Sequence, residues 1–129
     1  MGDDSTKPPA SAAFHCALCN DLAGTVELLP AGHAEGLGKD KTTIFLKDFI
    51  GTEKVLVSPA EIPKVQAALD QGDAAALYAV EKLWAPFYCP ACACVYCRKH
   101  WTIVPQYDEG YFDCSYGFCP KGHRRMTED

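Results

Sequence analysis

Cys89-Pro90-Ala91-Cys92-Ala93-Cys94-Val95-Tyr96-Cys97-Arg98-Lys99-His100 places four cysteines and a histidine within twelve residues. Two thiolates separated by two residues can wrap one ion at a tight turn, with backbone N–H groups donating to the sulfurs. Cys89-x2-Cys92 has that spacing, and Cys97-x2-His100 repeats it with one sulfur and one imidazole.

Two further pairs flank this stretch. Cys16-x2-Cys19 lies far upstream and Cys119-x3-His123 lies downstream. Pro90 and Pro120 each follow a first-position cysteine and stiffen the turn. Gly122 stands just before His123, where unusual dihedrals are easiest for glycine. Four pairs supply eight donors, enough for two tetrahedral Zn²⁺ ions of structural type. The metal ligands expected are therefore Cys16, Cys19, Cys89, Cys92, Cys97, His100, Cys119 and His123.

Two pairings fit these donors. In the sequential one, Cys16, Cys19, Cys89 and Cys92 share an ion, while Cys97, His100, Cys119 and His123 share the other. In the interleaved one, Cys16 and Cys19 join Cys97 and His100, while Cys89 and Cys92 join Cys119 and His123. Only four residues separate Cys92 from Cys97, which favours interleaving. Alternate pairing holds the chain beyond His100 from both sides.

The run from Cys89 through His100, with about residues 87–124 around it, resembles the cross-braced, treble-clef-like zinc fingers, the group that includes FYVE-like and MYND-like modules. The resemblance implies two interleaved zinc sites and a role in binding rather than catalysis. It assigns Cys89 and Cys92 to one ion, completed by Cys119 and His123, and Cys97 and His100 to the other. Two features depart from that group. Sixty-nine residues separate Cys19 from Cys89, and Arg98-Lys99 is a poor substitute for a basic lipid-binding cluster.

Four Cys or His residues fall outside the pairs. Cys94 sits inside the dense stretch, and Cys114 at a strand end reads as a buried thiol. His15 adjoins Cys16, and His33 lies in a glycine-rich loop. A Cys94–Cys114 disulfide requires an oxidising compartment. Two enzyme readings can be written. His33-Ala34-Glu35 with Cys89 and Cys92 would make a deaminase-type zinc site. However, Pro90 follows the first cysteine of that pair instead of preceding it, and Cys16-Cys19 would have no role. Cys89-Pro90-Ala91-Cys92 as a redox pair should open a helix after a strand, whereas here more cysteines and the Pro86 break surround it. No Gly-rich phosphate loop or Ser nucleophile elbow is present.

Between the first pair and the rest, Thr25–Leu29, residues 42–46 and residues 54–57 read as short strands rich in β-branched and aromatic residues. None alternates cleanly enough to show which face is buried. Ser58-Pro59-Ala60-Glu61 has the form of a capping box opening a helix. Ile62, Val65 and Leu69 fall on one face of that helix, and Gly72 ends it. Asp73 can cap a second helix over residues 74–84, with Leu77, Val80 and Trp84 as its apolar stripe. Residues 101–104 and 111–113 read as a hairpin turning at 105–110, and residues 123–129 as a short helical end. The fold class expected is α+β: a small domain of short antiparallel strands and two helices, joined to a zinc-binding hairpin module with two sites. Residues 1–13 read as a flexible tail. Residues 14–129 read as one zinc-stabilised unit in which an α+β segment, 20–86, is inserted between the first ligand pair and the 87–124 zinc module. Closing so long a loop with metal should make the whole fold depend on it.

Lys and Arg total 12 against 17 Asp and Glu, a net charge of −5 over 129 residues. Six ligating thiolates and two Zn²⁺ change this by −6 + 4 = −2, to −7. An acidic surface argues against nucleic-acid or anionic-membrane binding, although Lys121, Arg124 and Arg125 could form a small basic patch and leave a nucleic-acid-associated finger as an alternative. No run is apolar enough to span a bilayer. The first residues lack the basic and apolar regions of a secretory signal, and Met1-Gly2 lacks the basic cluster that usually supports a myristoyl anchor. Eight cysteines in a reducing cytoplasm point to metal rather than disulfides. Trp101, Tyr107, Tyr111, Phe112, Tyr116 and Phe118 give the zinc-rich third more aromatic surface than its size can hide. Some should pack on the ligands as an apolar shell, and others could face a protein partner or a second copy through residues 101–118.

Overall fold

The computed structural model describes residues 10–32 and 41–128. Strands β1 (Ala10–His15), β2 (Leu22–Leu29), β3 (Thr43–Asp48) and β4 (Thr52–Leu56) form one antiparallel sheet in that order. Residues directly opposite in an antiparallel ladder share a face, so the register identifies the buried one. Ala10, Ala12 and Phe14 lie across from Leu28, Val26 and Gly24, and Leu28 and Val26 lie across from Ile44 and Leu46. Val26, Leu28, Ile44, Leu46 and Phe14 are all buried. The opposite face carries Phe45, with the ammonium groups of Lys47 and Lys54 over its ring at 5.1 and 5.2 Å. Residues 10–13, read as tail, are thus part of β1. Their small side chains fit where α1 packs closely over the sheet.

Helices α1 (Ile62–Gln71) and α2 (Ala74–Val80) cover the apolar face, burying Val65, Ala68, Leu69, Ala74 and Leu77. The capping box at Ser58 does not form. Glu61 is the N-cap without a side-chain bond, Pro63 occupies the first turn, and Ser58 accepts from the Glu61 N–H through its backbone carbonyl. The other boundaries follow local chemistry. Gly72 takes a left-handed φ of 62° at the end of α1, and the Asp73 side chain accepts from the Ala76 N–H at the start of α2.

The second helix stops at Val80 instead of reaching residue 84. Glu81 is extended, and Lys82–Trp84 form a 3-10 turn. Arg125 accounts for the break. Its guanidinium donates to the carbonyls of Lys82, Ala85 and Tyr88 at 2.9, 2.6 and 3.0 Å, so this segment has its carbonyls turned toward a cation.

The last third holds two more sheets. Strands β5 (Tyr88–Cys89) and β6 (Cys94–Val95) make a minimal hairpin. Strands β7 (Thr102–Asp108), β8 (Tyr111–Phe118) and β9 (Arg124–Glu128) make a three-stranded antiparallel sheet with β8 in the middle. The turn expected over 105–110 narrows to Glu109-Gly110, with φ of 52° and 88°, the two-residue geometry whose twist suits a hairpin. Pro105 is accommodated because β7 is an edge strand, where a missing N–H costs least. The C-terminal stretch forms β9 instead of helical turns, because Arg125 and Thr127 point alternately inward and both are buried.

Aromatic packing joins the parts. Phe14 of β1 stacks on Phe87 at 5.0 Å between ring centroids. A Cβ on Gly24 would stand 2.8 Å from the Phe87 ring, so only glycine admits that ring against β2. Buried Trp101 donates from its indole N–H to the carbonyls of Tyr96 (2.9 Å) and Phe87 (3.3 Å). Among the described residues, no helix is long and apolar enough to cross a membrane.

Candidate metal centres

Each donor pair sits on a short turn whose backbone is shaped around sulfur. After Cys16 and Cys19 the chain turns at Asn20 with φ of 64°. After Cys89 and Cys92 it turns at Ala93 with φ of 54°. Asn enters the left-handed region readily, whereas Ala pays about 1 kcal/mol there, so the second turn is held against its own preference. The Leu18 N–H donates to the Cys16 sulfur at 3.4 Å, and the Lys121 N–H donates to the Cys119 sulfur at the same distance. Gly122, at φ of 87°, returns the chain to His123. Cys97 caps the start of the 3-10 turn Arg98–His100 and His100 ends it, with the His100 N–H donating to the Cys97 carbonyl.

The fold gathers these turns in alternation. Cys16, Cys19, Cys97 and His100 form one cluster, and Cys89, Cys92, Cys119 and His123 form the other, with all donor atoms of a cluster within 4.8 Å of one another. The sequential pairing is therefore replaced by the interleaved one. A zinc with Zn–S of about 2.3 Å and Zn–N of about 2.0 Å places tetrahedral donors roughly 3.5–3.8 Å apart. In the first cluster, Cys19 to Cys97 is 3.5 Å, and His100 Nδ1 lies 3.4, 3.4 and 3.9 Å from Cys16, Cys97 and Cys19. In the second, Cys92 to Cys119 is 3.8 Å, and His123 Nδ1 lies 3.2, 3.4 and 3.8 Å from Cys92, Cys119 and Cys89. These distances match the edges of a zinc tetrahedron and are well beyond the about 2.05 Å of a disulfide. The two clusters are consistent with two structural Zn²⁺ sites of a cross-braced, treble-clef-like zinc finger. Each Cys3His set fills four positions and would carry −3 + 2 = −1 when loaded.

The surroundings favour thiolate in part of each cluster. Burial raises the Cys16 thiol, but backbone hydrogen bonds from Cys97, Cys19 and Leu18 outweigh it and bring the pKa to about 6. Burial likewise raises Cys119, and backbone bonds at His123 and Lys121 bring it down to about 7. Burial wins at Cys89, pushed up to about 11. The Tyr96 phenol hydrogen-bonds Cys92, which together with burial raises its own pKa. Outside the first cluster, exposed Lys99 pairs with Asp21, tying one turn to the other. The Ala17 N–H donates to the Val95 carbonyl at 2.8 Å, joining the first turn to β6.

The leftover residues separate from the clusters. Cys94 donates to the Cys92 carbonyl at 3.2 Å, and buried Cys114 faces the Asp113 carboxylate at 3.8 Å. Both are free thiols, not a disulfide. His15 is exposed on β1. His33 and Glu35, the deaminase reading, lie outside the described residues. The redox reading lacks its helix, since Cys92 leads into β6.

The basic patch keeps exposed Lys121 and Arg124 and loses Arg125 to the interior. Arg125 is committed to four carbonyls, those of Lys82, Ala85, Tyr88 and Met126, and Arg124 lies over the Tyr116 ring at 4.0 Å. Burial pulls the Arg125 guanidinium below its usual pKa, with Tyr78 and Cys89 acting against that. Sequence reasoning missed Arg125 as a structural tie; the apolar residues at 83–88 that enclose it give no hint of a cation. The aromatics divide. Trp101 is buried, Tyr116 and Phe118 are half-buried, and Tyr107, Tyr111 and Phe112 are 65%, 78% and 47% exposed. These three concentrate apolar surface at the β7–β8 turn, the kind of patch that marks contact with another protein.

Searches among curated proteins and among solved structures each found no match. One family does match, over residues 6–129, and the chain belongs to it: the family described as Domain of unknown function (DUF8328).

Proposed function

We propose that the eight clustered donors hold two structural Zn²⁺ ions, and that the metal-held β7–β9 sheet serves as a protein-interaction module. The observation that carries this is closure. Each cluster offers four protein donors at tetrahedral spacing, leaving an ion no position for substrate or water. A catalytic zinc needs that open position.

Under this reading segment 20–86, whose sheet is completed by β1 from before the first ligand pair, is inserted between that pair and the 87–124 module, and the two make one zinc-stabilised unit. The Phe14–Phe87 stack and the Ala17–Val95 bond support that. A cytoplasmic setting suits eight cysteines with no disulfide among them, because a reducing compartment keeps such thiols available to metal.

Metal analysis of protein purified under reducing conditions tests the proposal. Two zincs per chain are expected, each with three sulfurs and one nitrogen in its X-ray absorption spectrum. One zinc, or a water oxygen in either shell, refutes it.

A further inference from the structure

We propose that the tip of the β7–β8 hairpin docks a cationic, arginine- or lysine-bearing segment of a partner protein; this rests on the interaction-module reading above. The tip extends beyond its support. Strand β9 pairs with β8 only from Ser115 to Phe118, so residues 105–113 form a bare two-stranded ribbon. A two-stranded ribbon has no apolar face of its own to bury. Even so, Tyr107, Tyr111 and Phe112 are all exposed there.

Charge selects the occupant. Residues 105–113 include Asp108, Glu109 and Asp113 and no Lys, Arg or His. Asp108 and Tyr111 lie opposite each other, so a carboxylate and an aromatic ring stand side by side on one face. On the other face of the ribbon Tyr107 meets Phe112 edge-on at 6.1 Å. Asp113 is the extra residue where the register shifts between Gln106 and Tyr107. A guanidinium or ammonium group can use both parts at once, pairing with carboxylate and lying over a ring. Two copies of this tip would bring six carboxylates together. DNA, RNA and anionic bilayers are repelled by the same charges.

The test uses the zinc-loaded full chain, isotope-labelled for NMR. It is titrated with a synthetic dodecapeptide of alternating arginine and glycine, and with its glutamate counterpart. Amide shifts confined to residues 105–113, seen with the arginine peptide alone, are expected. Replacing Tyr111→Ser and Phe112→Ser together should weaken binding about fivefold with charge unchanged. Asp108→Asn with Asp113→Asn should weaken it and flatten its salt dependence. Shifts spread over other acidic positions such as Glu53 and Glu81 overturn the proposal. So does unchanged affinity of the aromatic variant, equal binding of the glutamate peptide or of single-stranded DNA, or self-association through the tip. Metal content is measured on each sample. Binding at the tip by a chain without zinc removes the zinc reading alone, and a two-zinc chain that ignores the arginine peptide removes this one alone.

Discussion

Cys94 and Cys97 lie three residues apart and belong to different worlds: one caps a carbonyl, the other faces three metal donors. Cys97→Ser should unfold the chain and release both ions, since one structural zinc is worth about 10–16 kcal/mol at neutral pH and small domains hold only about 5–15. Cys94→Ser should retain both ions. Metal stoichiometry with thermal melting distinguishes the two. Pairing rather than interval separates these residues in the sequence: Cys94-x2-Cys97 also has the two-residue spacing, but Cys89-x2-Cys92 and Cys97-x2-His100 already use their neighbours and leave Cys94 over. Interleaving was legible for a similar reason, as a four-residue gap cannot anchor the hairpin beyond His100. Gly24 was not legible. Its role depends on a ring sixty-three positions away, at Phe87, and no local pattern encodes that. Gly24→Ala should cost about 1–3 kcal/mol through overpacking, lowering the urea midpoint while the metal content stays at two.

At the level of elements, the same distinction holds. Strands β2 and β3 could be read locally because β-branched residues favour a pleated, half-buried surface. Their buried face could not, since β1 supplies part of it from a stretch of small residues that reads as tail. The break between α2 and the 3-10 turn is similarly remote in origin, set by Arg125 more than forty residues later. Arg125→Met should strip the guanidinium donors from the carbonyls of Lys82, Ala85 and Tyr88, of which Lys82 and Ala85 keep a backbone N–H, at a cost of about 1–3 kcal/mol. Amide exchange across residues 82–88 should rise first. Arg125→Lys should not rescue it, because a single ammonium lacks the fork that reaches Lys82, Ala85 and Tyr88 together. In the β7–β8 turn, Glu109 occupies a left-handed position that Asn tolerates better. Glu109→Asn should raise the melting temperature slightly, by a few tenths to about 1 kcal/mol of stability.

For the molecule as a whole, the metal clusters and the α+β segment should behave as a single cooperative unit. Strong chelation is expected to abolish the helical circular dichroism of α1 and α2 together with the near-ultraviolet signal of Trp101, in one transition. Helices that survive chelation would separate the two parts. The cross-brace also sets a timetable for synthesis. Cys19 and His100 share a cluster across 81 positions, which a ribosome adding about 5–20 residues per second covers in roughly 4–16 s. Throughout that interval the first two thiols of the nascent chain have no partners, and the emerging sheet lacks its clasp. The second cluster must wait for His123, twenty-three positions further on, so the donors of the N-terminal knot are complete before those of the C-terminal one.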